Sequence, residues 1–337
     1  EKSLRAAYYA TARRNLLLFR DLEVVLHALA GGGIPAILLK GAALVQGVYG
    51  NPALRPMGDL DLLVRRTDLP ATLRALETQG YVPVRVELAT AAAARYENQV
   101  HLAKPGSQKI PIEVHWSLLD SPYYQQKLAM DWFWQTARPL QVGNSPAWML
   151  GPEGQILHLC AHLALHHSGT SGPRLLWLHD VAEVIAFYRG QVDWELLLSQ
   201  AISSDLVQPL QLVLPRVAGQ WNAPIPPAQL GRLQKLRPSP GEVRTFRRLT
   251  APNRAVARRF QDDLASIPRW GERLRFAWIN LFPAPAYMRQ RYHISHGLLL
   301  PLYYPYRWFL GARSALRRTG QRKPAAGPGE AASQPGP

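Results

Sequence analysis

Asp59-Leu60-Asp61-Leu62-Leu63-Val64 is the stretch on which the fold turns. In a strand, alternate side chains point to the same face, so Asp59 and Asp61 share one side. Two carboxylates on one face can hold one hard divalent cation, or two, against a triphosphate. Upstream, Leu38-Leu39-Lys40-Gly41-Ala42-Ala43-Leu44 reads as a strand end, a tight turn and a helix start. Backbone N–H groups at such a turn can receive phosphate oxygens. Downstream, Ile110-Pro111-Ile112-Glu113-Val114-His115-Trp116 reads as a further strand, with Glu113 and His115 on one face and Ile112, Val114 and Trp116 on the other. A phosphate turn, an acidic strand and a glutamate-bearing strand together point to metal-assisted nucleotidyl transfer, with Mg²⁺ or Mn²⁺ as the expected cofactor.

The rest of the first third supports a small α/β-mixed unit. Residues 8–30 read as a helix with Leu16, Leu17, Leu22, Val25, Leu26 and Leu29 toward one side, ended by Gly31-Gly32-Gly33. A strand follows over 34–39, and a helix over 41–49 closed by Gly50-Asn51-Pro52. Thr67 is the expected cap of a helix from about 68 to 79. Strands are expected over 81–86, about 100–103 and 110–116, closing the unit near residue 120. Beyond it the apolar spacing is helical, notably over 152–167, 175–187 and 194–203. The expected organisation is an N-terminal helical segment over 1–33, a core over 34–120, a mainly helical region over 121–318 and a disordered Gly/Pro/Ala/Ser-rich tail over 319–337.

Composition narrows the class. With 337 residues and 47% hydrophobic residues, the chain is globular and has room for two domains. Its one cysteine, Cys160, cannot form an intramolecular disulfide, which suits a reducing compartment. The first residues carry mixed charges without an apolar core, so no signal peptide is expected, and no run of eighteen apolar residues suggests a membrane span. The net charge of +16 is uneven: residues 231–323 hold 20 Lys/Arg against 4 Asp/Glu, and the remainder is neutral. Such a field favours an anionic partner, whether nucleic acid such as RNA, an acidic lipid surface or a phosphorylated substrate, with a solvated basic face as the plain alternative. The expected location is cytoplasmic, peripheral at a membrane if the partner is lipid.

These motifs carry a resemblance. Leu39-Lys40-Gly41, Tyr49, Arg55, Asp59 to Val64, Gly80-Tyr81 and Glu113-Val114-His115-Trp116 resemble the poorly characterised bacterial nucleotidyltransferase family of the DNA polymerase β-like superfamily. The likeness continues through His158-Leu159-Cys160-Ala161-His162 and Trp177-Leu178-His179-Asp180. It implies an α+β fold, a small mixed sheet flanked by helices with a helical C-terminal domain, and attack of an acceptor on the α-phosphate of an NTP such as ATP, with pyrophosphate leaving. It implies Asp59, Asp61 and Glu113 as the catalytic and metal-binding carboxylates. Lys40-Gly41 stands where the superfamily carries a Gly-Ser turn, so a hydroxyl contact is replaced by charge. The acceptor, a small molecule, peptide or protein, is unidentified.

Several residues admit two readings. Lys40 is a phosphate ligand or an ion-pair partner of the acids. Arg55 reaches phosphate oxygens bidentately or pairs with the acidic strand. His115 orients Glu113, touches the acceptor or is structural. His158, His162 and His166, with His167, His179 and Asp180, invite a metal-site reading, but their apolar neighbours favour structural histidines. Trp132, Trp134, Trp177 and Trp194 read as core anchors rather than stacking platforms. Two alternatives to nucleotidyl transfer stand beside it: transfer of another phosphate-linked group, such as a sugar, to a phosphorylated or peptide acceptor, and a non-catalytic module docking on nucleic acid or an anionic membrane.

Overall fold

The computed structural model describes residues 1–84, 96–106, 110–166, 175–251, 256–267 and 269–319. The end of the strand expected over 81–86, His167 and the expected tail from 320 lie outside the described residues.

Among the described residues, seven strands form one mixed sheet: β1 (Ile37–Leu39), β2 (Leu60–Leu63), β3 (Val82–Pro83), β4 (Gln99–Ala103), β5 (Ile112–His115), β6 (Arg138–Val142) and β7 (Ser145–Met149). Their order is β3-β4-β5-β2-β1-β7-β6. β2 runs parallel to β5 and antiparallel to β1, and β7 runs parallel to β1. The chain is α+β, as the resemblance implied. The strands do not stop near residue 120, however: β6 and β7 form a hairpin that extends the sheet past β1.

β1, Ile37-Leu38-Leu39, and β2, apolar apart from Asp61, are buried along their whole length because both their faces are covered. On one face Leu38, Leu60, Leu62, Ile112 and Val114 join a core with α1 (Lys2–Gly31) and α3 (Leu69–Thr78). On the other, Ile37, Leu39 and Leu63 join a second core built mostly from the downstream helices. These are α4 (Pro122–Lys127), α5 (Met130–Gln135), α6 (Pro152–His166), α7 (Leu175–Phe187), α8 (Trp194–Ser203), α9 (Val207–Trp221), α10 (Pro227–Lys235) and α11 (Pro240–Leu249). Trp132, Trp134, Trp177 and Trp194 pack against this second core, as expected of anchors. α12 (Val256–Ser266), α13 (Trp270–Leu281), α14 (Pro285–Tyr292) and α15 (Leu300–Thr319) follow.

Local details differ from the sequence reading. α1 buries Asn15 and Leu18, while Leu16 and Leu17 are exposed. The buried Asn15 amide is hydrogen-bonded: its Nδ2 donates to the carbonyls of Pro52 and Arg55, both at 2.7 Å. Arg14 adds a bond from Nε to Met57 O at 2.8 Å. The N-terminal helix therefore fixes the loop that leads into β2. The helix expected over 41–49 is α2 (Lys40–Leu44) continued by a π-helical turn over Val45–Tyr49, and Gly50 at φ +64° ends it. Thr67 does not cap α3; a 3₁₀ turn over Arg66–Asp68 leads in, and the helix start has no side-chain cap.

Candidate active site

Sheet register assembles the site. Asp61 lies beside Glu113 across the parallel β2–β5 pair, and Glu113 lies opposite His101 across β4–β5. His115 lies opposite Gln99 one step along. All five side chains fall on one face of the sheet, the face that carries Leu39 and Leu63 and meets the helical core. Asp59 sits just ahead of β2 and is half-buried.

Lys40 closes the cluster from the junction of β1 and α2. Its backbone φ is +45°, a left-handed conformation that side chains other than glycine seldom adopt. Its ammonium donates to Asp61 Oδ1 at 2.7 Å and lies 3.7 Å from Glu113 Oε2. His115 Nε2 lies 2.9 Å from the same Oδ1 and 3.5 Å from Glu113 Oε2. An ionised carboxylate only accepts, so His115 Nε2 carries the proton that it donates to Asp61. His115 Nδ1 is buried without a hydrogen-bond partner in the structure.

Glu113 has its own supports. His101 Nδ1 lies 3.0 Å from Oε1, and Gln99 Nε2 donates to Oε2 at 3.2 Å. Gln99 Nε2 also lies 3.0 Å from His101 Nε2. One tautomer satisfies all three contacts: Nδ1–H donates to Glu113 and Nε2 accepts from Gln99. His101 and Gln99 escaped the sequence reading. The alternation Gln99-Val100-His101-Leu102 would have placed both on the polar face of β4.

The charges sort the three acids. Burial pushes the Asp61 carboxyl up, but Lys40 and His115 outweigh it and hold the group below the ordinary carboxylate range. Burial likewise opposes Glu113, and hydrogen bonds from His101 and His115 carry its pKa well below the usual value. Burial also penalises the Lys40 ammonium, yet Asp61 and Glu113 hold its pKa above the ordinary lysine value. Asp59 moves the other way: burial, then Asp61 and Glu113, raise its pKa. Asp61 and Glu113 are thus ionised at neutral pH.

Arg55 is directed elsewhere. Its Nη2 donates to Asp180 Oδ2 at 2.9 Å and its Nε to Asp180 Oδ1 at 3.2 Å, a bidentate pair on α7 rather than on the acidic strand. Tyr49 OH donates to Asp180 Oδ1 at 2.9 Å. The turn needs a glycine beside this pair: a Cβ on Gly41 would meet Arg55 Nη1 at 2.5 Å and the Met57 side chain at 3.0 Å.

Among the described residues, the one cluster of metal-ligating side chains at bonding spacing is Asp61, Glu113 and His115, whose ligand atoms lie within 4.8 Å of one another. Two carboxylates and an imidazole suit a hard or borderline divalent cation, so the donor set fits Mg²⁺ and, with its nitrogen, Mn²⁺. Asp59 is outside that tight group, although its carboxyl senses both acids. The helical histidines form ring contacts instead: His158 lies 6.2 Å from His162, and His162 lies 5.6 Å from Trp177, between centroids.

Comparison with known proteins identifies the family. The family model described as "Uncharacterised nucleotidyltransferase" matches residues 1–221, which take in the sheet and its first covering helices. No curated protein matches the chain. Among solved structures, an antigenic nucleotidyltransferase-like protein from Paracoccidioides brasiliensis aligns with a TM-score of 0.37 at 16% identity, over 61% of this chain and 92% of that one. On the family match, the chain belongs to the uncharacterised nucleotidyltransferase family.

Proposed function

We propose that the chain is a metal-dependent nucleotidyltransferase that passes a nucleotidyl group from an NTP to an acceptor and releases pyrophosphate. The observation that carries this reading is the in-register pair Asp61 and Glu113, both ionised, bridged by Lys40 at the turn between β1 and α2. Asp61 and Glu113 would hold Mg²⁺ or Mn²⁺, with Asp59 beside them, and His115 would join them on releasing its Nε2 proton. A cation there supplies charge neutralisation for the donor phosphates and for the attacking and leaving oxygens.

The chain's own residues do the positioning. Lys40 exchanges its two carboxylates for phosphate oxygens of the donor, and the Gly41 backbone N–H joins it there. His101 on Oε1 and Gln99 on Oε2 fix the rotamer of Glu113, with Oε2 also beside Lys40 and His115. Arg55, clamped on Asp180, supports the turn from behind rather than reaching the donor. The helices on this face of the sheet supply the walls of the acceptor pocket. The cytoplasm provides NTP and Mg²⁺ together, and the reduced, buried Cys160 suits it.

A second donor class keeps a specific motive, because a lysine replaces the hydroxyl of the superfamily's turn. Transfer from a nucleotide-sugar to a phosphorylated or peptide acceptor would use the same carboxylates. Incubation of the protein and a cell extract with Mg²⁺ and NTPs labelled at the α-phosphate, in parallel with sugar-labelled nucleotide-sugars, separates the two. Label from the α-phosphate on an acceptor supports nucleotidyl transfer, and label from the sugar alone contradicts it.

A further inference from the structure

α13 turns an apolar stripe outward. Trp270 is 71% exposed and Trp278 64%, and Leu274 and Leu281 are exposed between and beyond them. Their spacings of four, four and three put them on one side of the helix. α15 repeats the device with exposed Leu302, Tyr306 and Phe309. Leu298, 94% exposed, stands one turn ahead, and exposed Arg313 continues the stripe one turn beyond. The two helices meet directly: Trp308 Nε1 donates to Leu281 O at 2.8 Å, Tyr304 OH to Pro283 O at 2.9 Å, and the Phe282 and Trp308 rings stand edge-to-face at 5.2 Å.

The charge around these stripes has one sign. From Arg269 to Thr319 the sequence holds nine arginines and one acid, Glu272. Arg269, Arg275, Arg289 and Arg291 are exposed. This region lies beyond residue 221, where the family match ends.

We infer that α13 and α15 form an attachment surface for an anionic phospholipid bilayer. Charge complementarity selects the lipid: guanidinium groups meet headgroup phosphates while Trp, Phe and Leu enter the boundary between headgroups and acyl chains. Tryptophan and tyrosine are the rings that settle at that boundary. A second copy of the chain would bring a surface of the same positive sign against this one. Single-stranded RNA would use the rings and the arginines but gives the exposed leucines nothing apolar to cover them. Among the described residues no helix is long and apolar enough to cross a membrane, so the helices lie on the bilayer. The inference does not depend on the transfer reading.

The test is co-sedimentation of the full chain with vesicles of phosphatidylcholine alone and of phosphatidylcholine with phosphatidylglycerol at three to one. The expected result is binding to the anionic vesicles at low salt, weakened at high salt, with tryptophan emission shifted to the blue on binding. Trp270→Glu with Leu302→Glu, two exposed positions, should reduce the anionic-vesicle affinity about tenfold or more. Should that variant misfold by circular dichroism, quenching of the unaltered protein's tryptophans by brominated lipid decides in its place. Failure to bind anionic vesicles at low salt, unchanged affinity in the folded variant, absent quenching, or an RNA mobility shift without vesicle binding overturns the inference.

Discussion

The Lys40 ammonium lies 2.7 Å from Asp61 Oδ1, so a cation tethered to the chain sits on the carboxylate proposed to bind a metal. The same ammonium is 3.7 Å from Glu113 Oε2. Its single positive charge offsets half of the charge of two ionised acids that are side by side on parallel strands.

Lys40→Met should therefore separate two affinities. Mn²⁺ alone should bind the variant about tenfold more tightly, because no ammonium competes, while the NTP should bind more weakly. Removing one partner of a largely buried pair costs roughly 3–5 kcal/mol, so the melting temperature should fall. Mn²⁺ should restore more of it in the variant than in the unaltered protein. Equal Mn²⁺ affinities by calorimetry would show that Lys40 and the metal do not share a site.

Asp61→Asn and Glu113→Gln should differ in stability although both abolish Mg²⁺-supported NTP binding. Asp61 is 2% exposed and serves both Lys40 and His115; Glu113 is more open. The asparagine variant should lose roughly 2–4 kcal/mol, and the glutamine variant distinctly less, by chemical denaturation. An equal loss would mean that Glu113 is as much a structural acid as Asp61.

Gly41→Ala should damage the turn without touching a carboxylate. The new Cβ would press on Arg55 Nη1, which cannot retreat while its guanidinium is held by Asp180. A cost of about 1–3 kcal/mol is expected from the overpacking. Pairing it with Arg55→Ala, which empties the space, should give less than the sum of the two losses; strict additivity would exclude the clash.

Glu242 gives a pH signature far from the sheet. It is fully buried at the start of α11, its Oε1 accepting from Gln208 N and its Oε2 without a partner. Burial, opposed by the backbone bonds, leaves its pKa raised to about 7. The folded state then holds a proton that the unfolded chain releases near pH 4.3. Its stabilising contribution is complete below that value and declines as pH rises toward 7. Asp61 and Glu113, with lowered pKa values, lose theirs only as pH falls below about 4, so the windows do not overlap. Between pH 5 and 8 the unaltered protein should lose roughly 3 °C more in melting temperature than Glu242→Gln. Parallel curves would place the Glu242 pKa near its ordinary value.

The acidic row was legible in part because strand alternation is local: parity alone pairs Asp59 with Asp61 and Glu113 with His115, while the β2–β5 register sets Asp61 beside Glu113. What joined the row from farther away was legible only in part: the ion pair of Lys40 with the acids was one of two readings, and Asp180 was not read as the partner of Arg55. Lys40's contact with Asp61 depends on the β1–β2 register and on a left-handed backbone at Lys40, and Arg55's choice of Asp180 depends on how α7 packs on the sheet. The β6–β7 hairpin was missed because Arg138-Pro139-Leu140-Gln141-Val142 alternates weakly and carries a proline; its place at the sheet edge tolerates that residue. Asn15 is polar and so stood outside the apolar pattern of α1, though its amide ties that helix to the loop before β2.

Calorimetric titration of the full chain with each NTP, in Mg²⁺ and in EDTA, tests the central claim most directly. The account predicts that an NTP binds in Mg²⁺, that EDTA removes the binding, and that Glu113→Gln removes it without unfolding the protein. Equal affinity in Mg²⁺, in EDTA and in the variant would contradict it.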